Sequence, residues 1–142
     1  MKMDLKSLYR EIVNDHNLRP VHKYEMENPD IVLRGVNPTC GDDITLMLKI
    51  RDDTVTEGAF TGSGCAISTA SADMMLDNVI GLKTDQARDL IRKFFGMIDG
   101  DLTDDRELEA LNDAACLKDI ARMPARVKCA LLGWSTLKEI LG

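Results

Sequence analysis

Apolar residues recur at Leu5, Leu8, Ile12 and Val13, a spacing of three to four that predicts an amphipathic helix over 4–15 with Asp4 as its N-cap. Residues 21–29 are polar and lie between prolines, so they read as a loop before a short apolar strand over 31–36. Ile44, Leu46, Leu48 and Ile50 then alternate with polar or flexible residues, the period-two signature of a half-buried strand. Arg51-Asp52-Asp53-Thr54 fits a hairpin turn into a third strand over 55–61, so the three strands are expected to form an antiparallel sheet. Beyond it, Ala70, Met74, Met75 and Val79 mark a helix that begins near Cys65. Thr84 is the expected N-cap of the next helix, through Leu90, Ile91, Phe94 and Phe95, with Gly96 or Gly100 closing it. An acidic turn over 99–105 leads to a shorter helical pattern over 107–120. From Pro124 a last helix carries Val127, Ala130, Leu131, Trp134, Leu137 and Leu141 as a stripe suited to packing on the sheet. The pattern as a whole is that of an α/β (α+β) protein.

Composition bounds what such a fold can do. With 142 residues, 15.8 kDa and 44% hydrophobic residues, the chain reads as one domain over 1–142 whose core needs no metal staple. No signal-peptide pattern and no apolar run near the roughly 20 residues of a membrane span is visible, so a soluble, cytoplasmic protein with no membrane partner is expected. In that compartment its four cysteines stay reduced, which leaves metal binding or thiol chemistry. A net charge of −6 and a pI near 4.9 argue against nucleic acid. The one basic tract, 121–128 with Arg122, Arg126 and Lys128, is either a solvated helix face or a surface that meets an acidic partner and steadies a thiolate at Cys129.

Candidate chemistry concentrates on Cys40, Asp42, Cys65 and Cys129. In Asn37-Pro38-Thr39-Cys40-Gly41-Asp42 the Asn-Pro pair favours a turn, and Gly41 lets a thiol and a carboxylate two residues apart converge on one cation. Cys65 follows Gly62-Ser63-Gly64 at the start of a helix, where backbone N–H groups and the helix dipole favour an anionic sulfur; a small buried hydrophobe is the alternative. Cys129 lies near the start of the last helix. Cys116 has no second donor nearby and is read as a packing residue, while His16 and His22 are read as hydrogen-bonding, capping or partner-contacting residues rather than ligands. Three thiolates and a carboxylate favour zinc, iron or copper over magnesium or calcium, and four donors suit tetrahedral Zn2+. The paired CxxC knuckles of structural zinc modules are missing, and the carboxylate suggests exchangeable coordination.

Read together and in order, Leu8-Tyr9-Arg10, Asp15-His16, Asn37-Pro38-Thr39-Cys40-Gly41-Asp42, Gly62-Ser63-Gly64-Cys65-Ala66-Ile67-Ser68 with Ala70-Ser71, and Arg126-Val127-Lys128-Cys129-Ala130 with Trp134 resemble the SufU branch of the IscU/NifU-like iron–sulfur assembly proteins. The resemblance spans nearly the whole length and implies a three-stranded antiparallel sheet with helices packed around it. It also implies one zinc on Cys40, Asp42, Cys65 and Cys129. The scaffold branch, IscU proper, carries a histidine immediately before the last cysteine, a shorter segment between the second and third cysteines, and a Leu-Pro-Pro-Val-Lys motif. Here Lys128 precedes Cys129, the 65–129 segment is long, and Pro124-Ala125-Arg126-Val127-Lys128 stands in place of that motif.

The implied activity is sulfur transfer. A SufS-type cysteine desulfurase would present a persulfide and Cys40, as catalytic thiolate, would take its outer sulfur for downstream Suf cluster-assembly proteins. Zinc would keep the thiol deprotonated, a histidine of the desulfurase would take the place Cys40 vacates, and Arg126 would stabilise the thiolate or persulfide or else be a plain surface residue. Two other readings use the same residues: a scaffold on which a transient [2Fe–2S] cluster is assembled, and a zinc site that only braces the fold.

Overall fold

The computed structural model describes residues 5–142, so the expected cap Asp4 lies outside the described residues. Helix α1 (Leu5–Leu18) runs one turn further than its apolar pattern predicts. Strands β1 (Ile31–Asn37), β2 (Asp42–Arg51) and β3 (Thr54–Ser63) follow, then α2 (Ala66–Val79), α3 (Thr84–Asp99), the single turn α4 (Asp105–Leu108), a 3₁₀ segment (Glu109–Arg122) and α5 (Pro124–Leu141).

The strands form an antiparallel meander in the order β1-β2-β3, as the alternation of apolar residues predicts. The β2–β3 turn has two residues, Asp52 and Asp53, with φ of 52° and 61°. Positive φ at both positions matches the right-handed twist of the flanking strands, and aspartate tolerates it better than most residues. Ile44, Leu46 and Leu48 face the helices, and their neighbours face the opposite side, where Met47 and Ala59 are covered by Met26 from the 19–30 loop.

Two corrections concern the helices. The N-cap of α3 is Lys83, and Thr84 is the first helical residue. The Thr84 hydroxyl instead donates to Asp53 Oδ1 at 2.5 Å, tying α3 to the β2–β3 turn, and Gln86 accepts from the Lys83 N–H at 3.1 Å. The helical pattern expected over 107–120 is α4 followed by the 3₁₀ segment, and the run is broken at Asn112, whose φ of 49° and ψ of −129° are not helical. Asn112 Nδ2 bonds Asn78 Oδ1, and Asn78 Nδ2 bonds the Leu111 carbonyl, so α2 holds the break in place.

The core lies between the sheet and α2, α3, the 3₁₀ segment and α5. Phe94 and Trp134 stack at its centre, with ring centroids 4.2 Å apart and planes 6° from parallel. Ser71 locks α2 to α5: its Oγ donates to the Ala130 carbonyl at 2.6 Å and accepts from Trp134 Nε1 at 3.1 Å. Gly35 lets β1 approach α5 so closely that an added Cβ would lie 2.1 Å from Thr136 Oγ1. That contact brings the β1–β2 loop over the first turns of α5. Among the described residues, no helix is long and apolar enough to cross a membrane.

Candidate functional site

Residues 38–41 are the four-residue loop of the β1–β2 hairpin, between Asn37 and Asp42. Asn37 and Asp42 form its last paired rung, and the Asn37 carbonyl accepts from the Cys40 N–H at 3.3 Å and the Gly41 N–H at 2.9 Å. Gly41, at φ 73°, makes the left-handed step the turn needs, with no neighbour against its missing side chain. The outcome is an exposed Cys40 beside a buried Asp42 that is 1% accessible.

Asp42 is the hub of the site. Its Oδ1 accepts the Cys65 N–H at 2.9 Å, which fixes the start of α2 against the hairpin. Its Oδ2 is buried and has no hydrogen-bond partner. Cys65 is the N-cap of α2, and its sulfur accepts weakly from the Ser68 N–H at 3.5 Å. Gly64 sits so close that an added Cβ would lie 2.3 Å from Ser68 Oγ and 3.3 Å from Asp42 Oδ1.

The second turn of α5 supplies Cys129, whose sulfur is fully buried and lies 3.2 Å from Cys40 Sγ, although 89 residues separate the two. Both thiols also come near the Ala125 carbonyl, at 3.8 and 3.9 Å. One ligand atom each from Cys40, Asp42 and Cys129 lies within 4.8 Å of the other two. Cys65 is not part of that tight group, but its thiol is close enough to act on Cys129. Burial first, and then the neighbouring Cys40, Cys65 and Asp42 side chains, hold the Cys129 thiol well above the usual thiol range. The donor set fits a soft or borderline metal ion on this ground: sulfur atoms converge with a buried carboxylate oxygen that no N–H or O–H of the chain satisfies.

Arg126 is exposed on the first turn of α5, one turn before Cys129, and makes no hydrogen bond or ion pair with the four candidate ligands. Its charge reaches Tyr9, whose hydroxyl pKa is raised by burial first and by Cys116 and Asp119 while Arg126 opposes them. Cys116 is half-buried against the core. His16 and His22 are hydrogen-bonding residues. His16 Nδ1 bonds Asp73 at 2.7 Å and Nε2 bonds Asp113 at 2.9 Å, while His22 Nε2 bonds Asp77 at 2.7 Å. Atoms of His16, Asp73 and Asp77 also gather within 4.8 Å, but both ring nitrogens of His16 already have carboxylate partners, unlike Asp42 Oδ2. Asn37 was legible as a turn residue only; its burial, at 6% accessible, comes from the packing of β1 on α5.

An α+β fold with an antiparallel meander thus places the loop thiol Cys40 and the helix thiol Cys129 beside the Asp42 carboxylate, with Cys65 at the adjoining helix start, and the comparisons name the family. Residues 8–141 match the NifU-like N-terminal domain, and the chain belongs to that family. It is 39% identical over 137 residues to the iron–sulfur cluster assembly scaffold protein IscU of Streptococcus pyogenes serotype M1, covering 96% of this chain and 84% of that one. It is 38% identical over 136 residues to the zinc-dependent sulfurtransferase SufU of Bacillus subtilis (strain 168), covering 96% and 90%. Among solved structures, an iron–sulfur cluster assembly scaffold protein for the SUF system from Fervidobacterium islandicum AW-1 superposes with a TM-score of 0.85 at 32% identity, over 93% of this chain and 95% of that one.

Proposed function

We propose that this chain serves iron–sulfur cluster assembly as a zinc-dependent sulfurtransferase that accepts persulfide sulfur on Cys40 from a SufS-type cysteine desulfurase. The observation that carries the reading is the asymmetry of the site: an exposed Cys40 sulfur lies 3.2 Å from the buried Cys129 sulfur, beside a buried carboxylate oxygen without a donor. The similarity to the Bacillus subtilis protein supports it.

In this reading Cys40, Asp42, Cys65 and Cys129 would hold Zn2+, which supplies the positive charge that lets crowded thiols exist as thiolates. The Cys40 thiolate attacks the outer sulfur of the desulfurase persulfide. A new sulfur–sulfur bond forms on Cys40, the old one breaks, and the desulfurase cysteine leaves as thiolate. Asp42 holds the start of α2 against the hairpin through the Cys65 N–H. Arg126, exposed one turn before Cys129, is assigned the electrostatic role of drawing the anionic persulfide toward the site. Sulfur then passes to downstream Suf cluster-assembly proteins.

The test is turnover of the desulfurase with and without the zinc-loaded protein, read as alanine released from cysteine under mild reductant. Strong stimulation that vanishes with Cys40→Ser is expected; persulfide transfer retained by that variant would overturn the assignment. The second reading is favoured by the scaffold names of several relatives: the same three cysteines would hold a [2Fe–2S] cluster as cargo. It predicts that anaerobic reconstitution gives stable, transferable visible absorbance and that the protein leaves the desulfurase rate unchanged.

A further inference from the structure

Among the described residues, two buried side-chain polar atoms have no hydrogen-bond partner, Asn37 Nδ2 and Asp42 Oδ2. They belong to one rung of the sheet, since Asn37 pairs with Asp42, and directly opposed residues share a face. That face looks onto α5. Gly35, one pleat earlier on the same side of β1, meets Thr136 and Leu132, while Cys40, just past the rung, meets Ala125 and Cys129. Asn37 therefore lies on the face of β1 that packs on α5, between the level of Gly35 and that of Cys40. Its backbone carbonyl closes the loop on Cys40 and Gly41, while its side-chain Nδ2 is left without a partner.

The two orphans are complementary. A buried carboxylate oxygen without a donor asks for a cation, and a buried amide N–H without an acceptor asks for a lone pair. A metal-held anionic sulfur supplies both at once. We propose that Asn37 donates its side-chain N–H to an anionic sulfur of this site, either a cysteine thiolate or the persulfide on Cys40, and is a positioning residue for it. The inference rests on the metal and sulfur reading above. An N–H···S bond withdraws electron density from the sulfur and fixes its direction, so the thiolate is held from stray electrophiles and a persulfide is held from premature release.

The experiment uses the full chain with Co2+ in place of zinc, because thiolate-to-cobalt charge transfer reports electron density on sulfur independently of sulfur transfer. The parent, Asn37→Ala and Asn37→Asp are compared; the aspartate variant keeps the shape of the side chain if the alanine variant fails to fold. If a thiolate is the acceptor, the band moves to longer wavelength in the variants, and iodoacetamide alkylates Cys40 about tenfold faster at equal cobalt occupancy. If the persulfide is the acceptor, the resting spectrum is unchanged, but a Cys40 persulfide installed with inorganic polysulfide decays about tenfold faster. Variants that melt earlier yet keep the parent spectrum, alkylation rate and persulfide lifetime would overturn the proposal and reduce Asn37 to a turn residue. A parent chain that shows no thiolate-to-cobalt band overturns the metal reading and this proposal with it, a different outcome from the variant comparison.

Discussion

Cys40 and Cys116 are both thiols, but their surroundings give them opposite chemistry. Burial pushes the Cys116 pKa up to about 12, with the Asp113 charge adding to it, whereas Cys40 stands exposed at the tip of a hairpin. Iodoacetamide applied to metal-free protein near pH 8 is expected to modify Cys40 and spare Cys116, as peptide mass spectrometry would read. Labelling of both at equal rates would show that the core around Cys116 opens readily. Gly64 carries a second residue-scale prediction. Its replacement by alanine drives a methyl group to 2.3 Å from Ser68 Oγ, so the α2 cap must shift; a loss of about 1–3 kcal/mol of stability and weaker zinc binding are expected from denaturant titration and a competing chelator. Cys40, Asp42 and Cys65 were legible as candidate donors because glycine-punctuated motifs single them out, and Cys129 through the resemblance carried by Arg126-Val127-Lys128-Cys129-Ala130. Their convergence, and the orphaned Asn37 amide, were not, since both arise from β1 packing on α5 across gaps as long as 89 residues.

At the scale of elements, the strands were legible because period-two alternation and an Asp-Asp turn are local signals. The start of α3 was misplaced by one residue because the Thr84 hydroxyl answers to Asp53, 31 residues away, rather than to its own helix. Hydrogen bonding by His16 was among the expectations, but its partners were not legible: it fastens α1 to α2 through Asp73 and to the 3₁₀ segment through Asp113, 57 and 97 residues off. Burial alone would lower the His16 pKa, but the Asp113 and Asp73 carboxylates outweigh it and the value stands above that of a free imidazole. A raised folded pKa means that this stabilisation is full below the unfolded pKa of about 6.5 and is lost as pH rises through the folded value. Thermal melts should therefore show the wild type losing more of its stability than His16→Gln as pH rises from about 6 to about 9. Parallel curves would remove His16 from the account of how α1 is held.

For the whole molecule, the stacked Phe94 and Trp134 rings and the Ser71 link hold α2, α3 and α5 together without any contribution from the four candidate ligands. Chelation of the metal is accordingly expected to lower the melting temperature while leaving far-ultraviolet circular dichroism and Trp134 fluorescence close to those of the loaded protein. Collapse of both signals would favour a purely bracing zinc. Trp134→Ala, by contrast, should cost about 3–5 kcal/mol with or without metal. Of the paired Cys40 and Cys129 sulfurs, the first is exposed and the second wholly buried, so the site has an outside and an inside. On the proposed reading, in which Cys40 accepts sulfur, that one exposed thiol of the pair cannot be loaded and emptied together: the protein that delivers sulfur must depart before the one that collects it can dock, so initial rates measured against both partners should follow ping-pong kinetics, and an excess of either partner should slow the relay it serves.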